Sequence, residues 1–151
     1  MEYSGTDTVP RGYIATDGMC PITQGQRLFL VPQSQMADLQ RKGPEFKFFD
    51  AMMIPEVASR PAVIFEGLKR EDCLDCYCYC GIPSKRIIKK EHGSGTIEVP
   101  FPPHRVFLVF VKCTDKGFVV FDWEKRKADP KNDGWPESWK DDFEDIKWNT
   151  H

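Results

Sequence analysis

A histidine, a glutamate and several cations stand at the ends of apolar runs in this chain, an inventory suited to phosphodiester cleavage. "FEGLKRED" places Glu66, Lys69 and Arg70 where one run ends, and "PPHRVF" places His104 and Arg105 where another begins. Cleavage of RNA without metal needs a base for the ribose 2′ proton, an acid for the leaving oxygen and cations for the phosphate charge. His104 and Glu66 are the candidate acid and base. Lys69, Arg70 and Arg105 are the candidate phosphate ligands, and Trp123, in "FDWEKRKAD", is a candidate platform for an unpaired base. These roles imply no cofactor and no metal. Each group also has a plainer reading. His104 can cap a loop, Lys69 and Arg70 can pair with Glu71 and Asp72 in solvent, and the region around Trp123 can be an ordinary charged strand end.

The second concentration of reactive side chains is "CLDCYCYCG", where Cys73, Cys76, Cys78 and Cys80 fall between positions 73 and 80. On a strand, residues two apart share a face, so Cys76, Cys78 and Cys80 point one way while Tyr77 and Tyr79 point the other. A structural zinc site takes two ligands from a short Cys turn and two more from a second pair elsewhere. Cys73 and Cys76 can be the first pair, but the sequence has no second C-x2-C or H-x3-H. Cysteines at C-x-C spacing on an extended strand lie parallel and close a disulfide badly. The stretch therefore predicts a thiol-lined sheet face, because a buried free cysteine packs as a small hydrophobe. A metal-binding regulator using this cluster is the weaker alternative.

Other chemistries lack their motifs. There is no Gly-rich phosphate loop, no G-x-S-x-G elbow and no H-E-x-x-H. At 151 residues, 40% hydrophobic and 13% aromatic, the chain has enough apolar material for one folded domain. No apolar run reaches the roughly 18–20 residues a membrane span needs. The first residues have neither a basic start nor an apolar stretch, so no signal peptide is expected and the thiols should be reduced. A cytoplasmic location follows as the expectation, unless the chain is delivered as part of a larger effector. The net charge of −2 does not by itself mark a nucleic-acid binder, but "SKRIIKKEHGSG" concentrates cations between Lys85 and Lys90 while the tail after Asp122 is acidic.

The elements that must position these groups divide into an irregular arm (1–25), a strand and helices (26–60), an antiparallel sheet (61–124) and a Trp-rich acidic tail (125–151). Ser34 suits a helix N-cap for "QMADLQRK", and Pro44 a first helical position for "PEFKFFDAMMIPEVASR", with Phe46, Phe49 and Met53 on one apolar face. Pro55 must break or kink that helix. "AVIFEG", "CYCYCG", "RVFLVFVKC" and "GFVVFDWE" are strands, the third apolar throughout and so buried on both faces. Turn chemistry at Asp115–Gly117 joins the last two as a hairpin. Trp139, Phe143 and Ile146 have helical spacing, which predicts a short terminal helix docked on the sheet. The expected class is α+β, with N-terminal helices before a curved four-stranded antiparallel sheet and a short C-terminal helix.

The succession "MMIPEVASRPAVIFEG", a tyrosine-bearing strand and "VFLVFVKCTDKGFVVFDWE" resembles the barnase–EndoU–colicin–RelE-like superfamily, in particular its phage- and toxin-associated branches. The resemblance covers residues 44–124. It implies helices ahead of a curved four-stranded sheet and the activity of a metal-independent RNase toxin, with RNA as substrate and an immunity or antitoxin protein as partner. The rival expectation is a non-enzymatic interaction protein, of immunity or adaptor type, that uses Trp135, Trp139 and Trp148 in the acidic tail as its contact surface. No membrane partner is implied.

Overall fold

The strand-like runs do form strands, but within a larger sheet than their number suggests. The computed structural model describes residues 9–35, 50–69 and 72–150. Seven strands make the main sheet: β1 (Tyr13–Met19), β2 (Gln26–Pro32), β3 (Val63–Leu68), β4 (Cys73–Gly81), β7 (Arg105–Thr114), β8 (Gly117–Lys127) and β9 (Asp145–Asn149). Their order is β1-β2-β8-β7-β4-β3-β9. β2 runs parallel to β8, and the other neighbours are antiparallel. β5 (Lys85–Lys89) and β6 (Thr96–Pro100) pair only with each other, as a separate two-stranded ribbon.

The expected α+β class, with N-terminal helices before a four-stranded sheet, is therefore corrected to a mostly β fold around a seven-stranded mixed sheet. Among the described residues, helix is confined to short pieces. A 3-10 turn at Ala51–Met53 runs into α1 (Ile54–Ser59), Pro130–Asn132 forms another 3-10 turn, and α2 (Trp139–Asp142) is a single turn. Pro55 sits in the first turn of α1, where a missing N–H costs nothing, so it marks the change from 3-10 to α geometry. Most of "QMADLQRK" and the stretch holding Phe46 and Phe49 lie outside the described residues.

The supposed N-terminal arm contributes the edge strand β1. Its apolar signal is weak because burial is concentrated at its far end, in Gly18 and Met19. Gly18 is required there: a Cβ on it would come within 2.4 Å of the Phe29 ring. Beyond α2, the tail returns to the sheet as β9 instead of continuing as helix.

The sheet is covered on both faces, and β7 at its centre is buried along most of its length. One face carries Phe29, Ile64, Tyr79, Phe107, Val109 and Trp123, packed under Met53, Ile54, Val57 and Ala58. The other carries Val63, Phe65, Cys76, Cys78, Cys80, Leu108 and Phe110, packed under Trp139 and Phe143. Phe65 stacks on Phe143 at 4.8 Å and on Trp139 at 5.1 Å between ring centroids. Arg126 clamps this layer by donating to Asp142 Oδ2 at 2.7 Å while also pairing with Glu124. Across the sheet, Lys125 reaches the buried Asp50 carboxylate at 3.1 Å and ties β8 to the start of the helical layer. No described helix is long and apolar enough to cross a membrane.

Candidate functional site

The alternation read from "CYCYC" holds in the fold. Cys76, Cys78 and Cys80 face the Trp139–Phe143 layer, and Tyr79 faces the α1 layer, where its hydroxyl donates to the Met19 carbonyl. Burial, reinforced by the neighbouring Cys80, pushes the Cys78 thiol well above its ordinary value. Cys80 is pushed up to about 12 by burial, against an opposing effect of Arg126. Protonated thiols at these positions are packing groups and poor nucleophiles. Among the described residues, no group of three His, Cys, Asp or Glu side chains is arranged to hold a metal ion.

The proposed acid–base pair is divided between opposite ends of the sheet. β3 and β7 are both antiparallel to β4 and therefore run in the same direction. In register, Val63 lies level with Cys80 and Leu108, while Glu66 lies level with Tyr77 and Val111. Arg105 precedes Val111 by six positions on β7, a separation of roughly 20 Å along a strand. His104 is one residue further away. Hydrogen-bond reach is about 3 Å, so Glu66 and His104 cannot exchange protons with one bound group. Joint catalysis by this pair is ruled out.

The remaining candidates divide in the same way. At the Glu66 end, Glu66 faces Lys147 Nζ at 3.6 Å, and Lys69 Nζ donates to the Lys140 carbonyl at 2.6 Å. Gly67 forms the irregularity between them, with φ +79 and Glu144 against its Cα. Arg70 lies outside the described residues. Trp123 is 1% exposed and packs in the core beneath α1, so it is no stacking platform. The tail is largely committed to packing: Trp139 and Phe143 are buried, the half-buried Trp135 and Ile146 pack against the same cluster, and the half-buried Trp148 packs against the opposite core.

His104 and Arg105 do share a site, at the other end of the sheet. Three chain segments meet at their end of the sheet: the link from β4 to β5, the link from β6 to β7, and the exit from β8. They line an open recess of about 450 Å³. Pro83, Pro100, Pro102, Pro103 and Pro130 line it together with Phe101. Proline fixes φ, so these walls lose little freedom when something binds. Glu56 on α1 pins one wall by accepting from the Ser84 N–H at 2.8 Å and the Ser84 hydroxyl at 3.3 Å. The Ala128 N–H donates to the His104 carbonyl at 2.9 Å and joins the other two segments.

His104 itself has a left-handed backbone with φ 59, and both His104 and Arg105 are exposed. Arg105 stands opposite Lys127 in the β7–β8 register. From Ser84 the chain passes straight into Lys85 and Arg86 of the ribbon. Lys85 is matched by Glu98 at 2.8 Å across the ribbon, whereas Arg86 Nε is buried without a hydrogen-bond partner. No carboxylate is among the described residues that line the cavity. The available signal was the crowding of prolines in "GIPSK", "VPFPPHR" and "ADPKN" at the ends of strands. No family model matches the chain, and no curated protein or solved structure is significantly similar to it.

Proposed function

We propose that this chain is a non-enzymatic interaction domain whose contact region is the ribbon end of the molecule, serving an anionic partner. The observation that carries this reading is the proline-walled recess bearing His104 and Arg105, with no carboxylate among its described lining residues and continuous with the basic ribbon. A preformed apolar recess with a few polar groups is the usual form of a binding site. The cations around it supply attraction and orientation for negative charge. The contact surface is thus moved from the acidic Trp-rich tail to the opposite chemistry.

RNA cleavage is the weaker reading, since its acid–base pair is split, with His104 and Arg105 at one end of the sheet and Glu66 and Lys69 at the other. The two readings separate in one assay. Metal-free protein incubated with a labelled single-stranded RNA should leave it intact over many hours. Arg105→Glu should weaken retention of acidic probes, and Lys69→Glu at the far end should not. Multiple turnovers of RNA that disappear in His104→Ala would reverse the choice.

A further inference from the structure

We infer that the cavity receives one bulky apolar side chain from an extended acidic peptide of a partner protein, whose carboxylates engage Arg105, His104 and the base of the ribbon. This inference rests on the interaction reading above and names the partner's chemistry. A recess of about 450 Å³ has room for a large side chain with its adjoining main chain.

The lining selects among anionic partners. A nucleobase brings hydrogen-bonding edges that need partners when buried. Five prolines, Ile82 and Phe101 make up most of the lining, and the Ser84 hydroxyl is already engaged with Glu56. A base inserted there finds side-chain hydrogen-bond partners only in His104 and Arg105, whereas an aromatic or aliphatic side chain needs none.

Charge and shape fix the rest. Arg105 lines the recess with Lys127 beside it in register, so acidic residues flanking the anchor meet positive charge, and the His104 imidazole offers a further hydrogen-bonding group. The ribbon pairs with no other described strand, so the outer edge of β6 has no described strand beside it. An extended peptide can add to such an edge through main-chain hydrogen bonds while its anchor enters the adjoining pocket. β6 ends at Pro100, itself part of the wall, so edge and recess are contiguous.

Fluorescence anisotropy with four dye-labelled probes tests this: Glu-Glu-Glu-Phe-Glu-Glu-Glu, the same peptide with Gly for Phe, the same with Lys for Glu, and a decauridylate. The Phe peptide should bind tightest, and its Gly version should be weaker by roughly tenfold or more, as expected for one aromatic side chain left unburied. Arg105→Glu should remove most of the binding at an unchanged melting temperature, while Lys69→Glu should leave it intact. Equal binding of the Phe and Gly peptides, still lost in Arg105→Glu, would overturn the anchor and leave the interaction reading standing. Tighter, Arg105-dependent binding of decauridylate would do the same in favour of nucleic acid. Binding of no anionic probe up to millimolar protein, or binding indifferent to Arg105→Glu, would overturn both.

Discussion

His104 follows the prolines that wall the cavity and precedes β7, with its backbone at φ 59 and its carbonyl held by the Ala128 N–H. A non-glycine residue in the left-handed region stores on the order of 1 kcal/mol, and such strain persists where surrounding contacts impose it. Glycine meets no penalty there. His104→Gly is therefore expected to leave stability unchanged or raise it by up to about 1 kcal/mol, while weakening capture of acidic probes. Chemical denaturation of the two proteins decides it. A loss of more than about 1 kcal/mol would mean that the imidazole is a structural cap. Trp123 is the counterexample at the same scale. Its charged neighbours suggested exposure, but on β8 it alternates with half-buried Asp122 and Glu124 and turns into the core.

Among the elements, β7 and β8 were legible because a continuous apolar run and a tight turn have few other uses. β4 was legible because its alternation is strict. The ribbon was not: charge interrupts both strands, and the glycines at its tip suggested a loop. The end of the chain was ambiguous in a specific way. Trp139, Phe143 and Ile146 fit a helical face, but Ile146 and Trp148 also fit the period of a strand, and β9 pairs with β3. The site was half legible for a topological reason. Strand order puts β4 between β3 and β7, so the end of one lies far from the start of the other, and no local pattern reports that order.

Because the tail supplies both a buried aromatic layer and an edge strand, cutting the chain after Asp133 should cost several kcal/mol, as expected for losing two or more large buried side chains. An unchanged melting temperature would show that the tail does not hold the sheet.

At the scale of the whole molecule, the two cores bury ionisable groups in their neutral forms. Burial raises Cys78, Cys80 and the Tyr79 phenol above ordinary values of 9.0 for the thiols and 10.0 for the phenol. When unfolded, these groups release protons from about pH 9 upward; when folded, they hold them. The stabilisation is thus fully present below pH 9 and is lost as pH climbs toward 12, by roughly 1.4 kcal/mol per pH unit for each group that titrates only in the unfolded chain. Urea midpoints should be level between pH 7 and 8.5 and fall steeply by pH 10.5, and a level profile would place these groups in water. None of this bears on the ribbon end, whose rigid walls and positive charge are the basis for assigning a binding role. The most direct test is amide-resolved NMR of the labelled protein titrated with the Glu-flanked Phe peptide. The expected result is saturable shifts at Ser84, Phe101, His104, Arg105 and Gly134, with Glu66, Lys69 and Lys147 unmoved. Shifts centred on Glu66 and Lys69, or none at saturating peptide, would contradict the assignment.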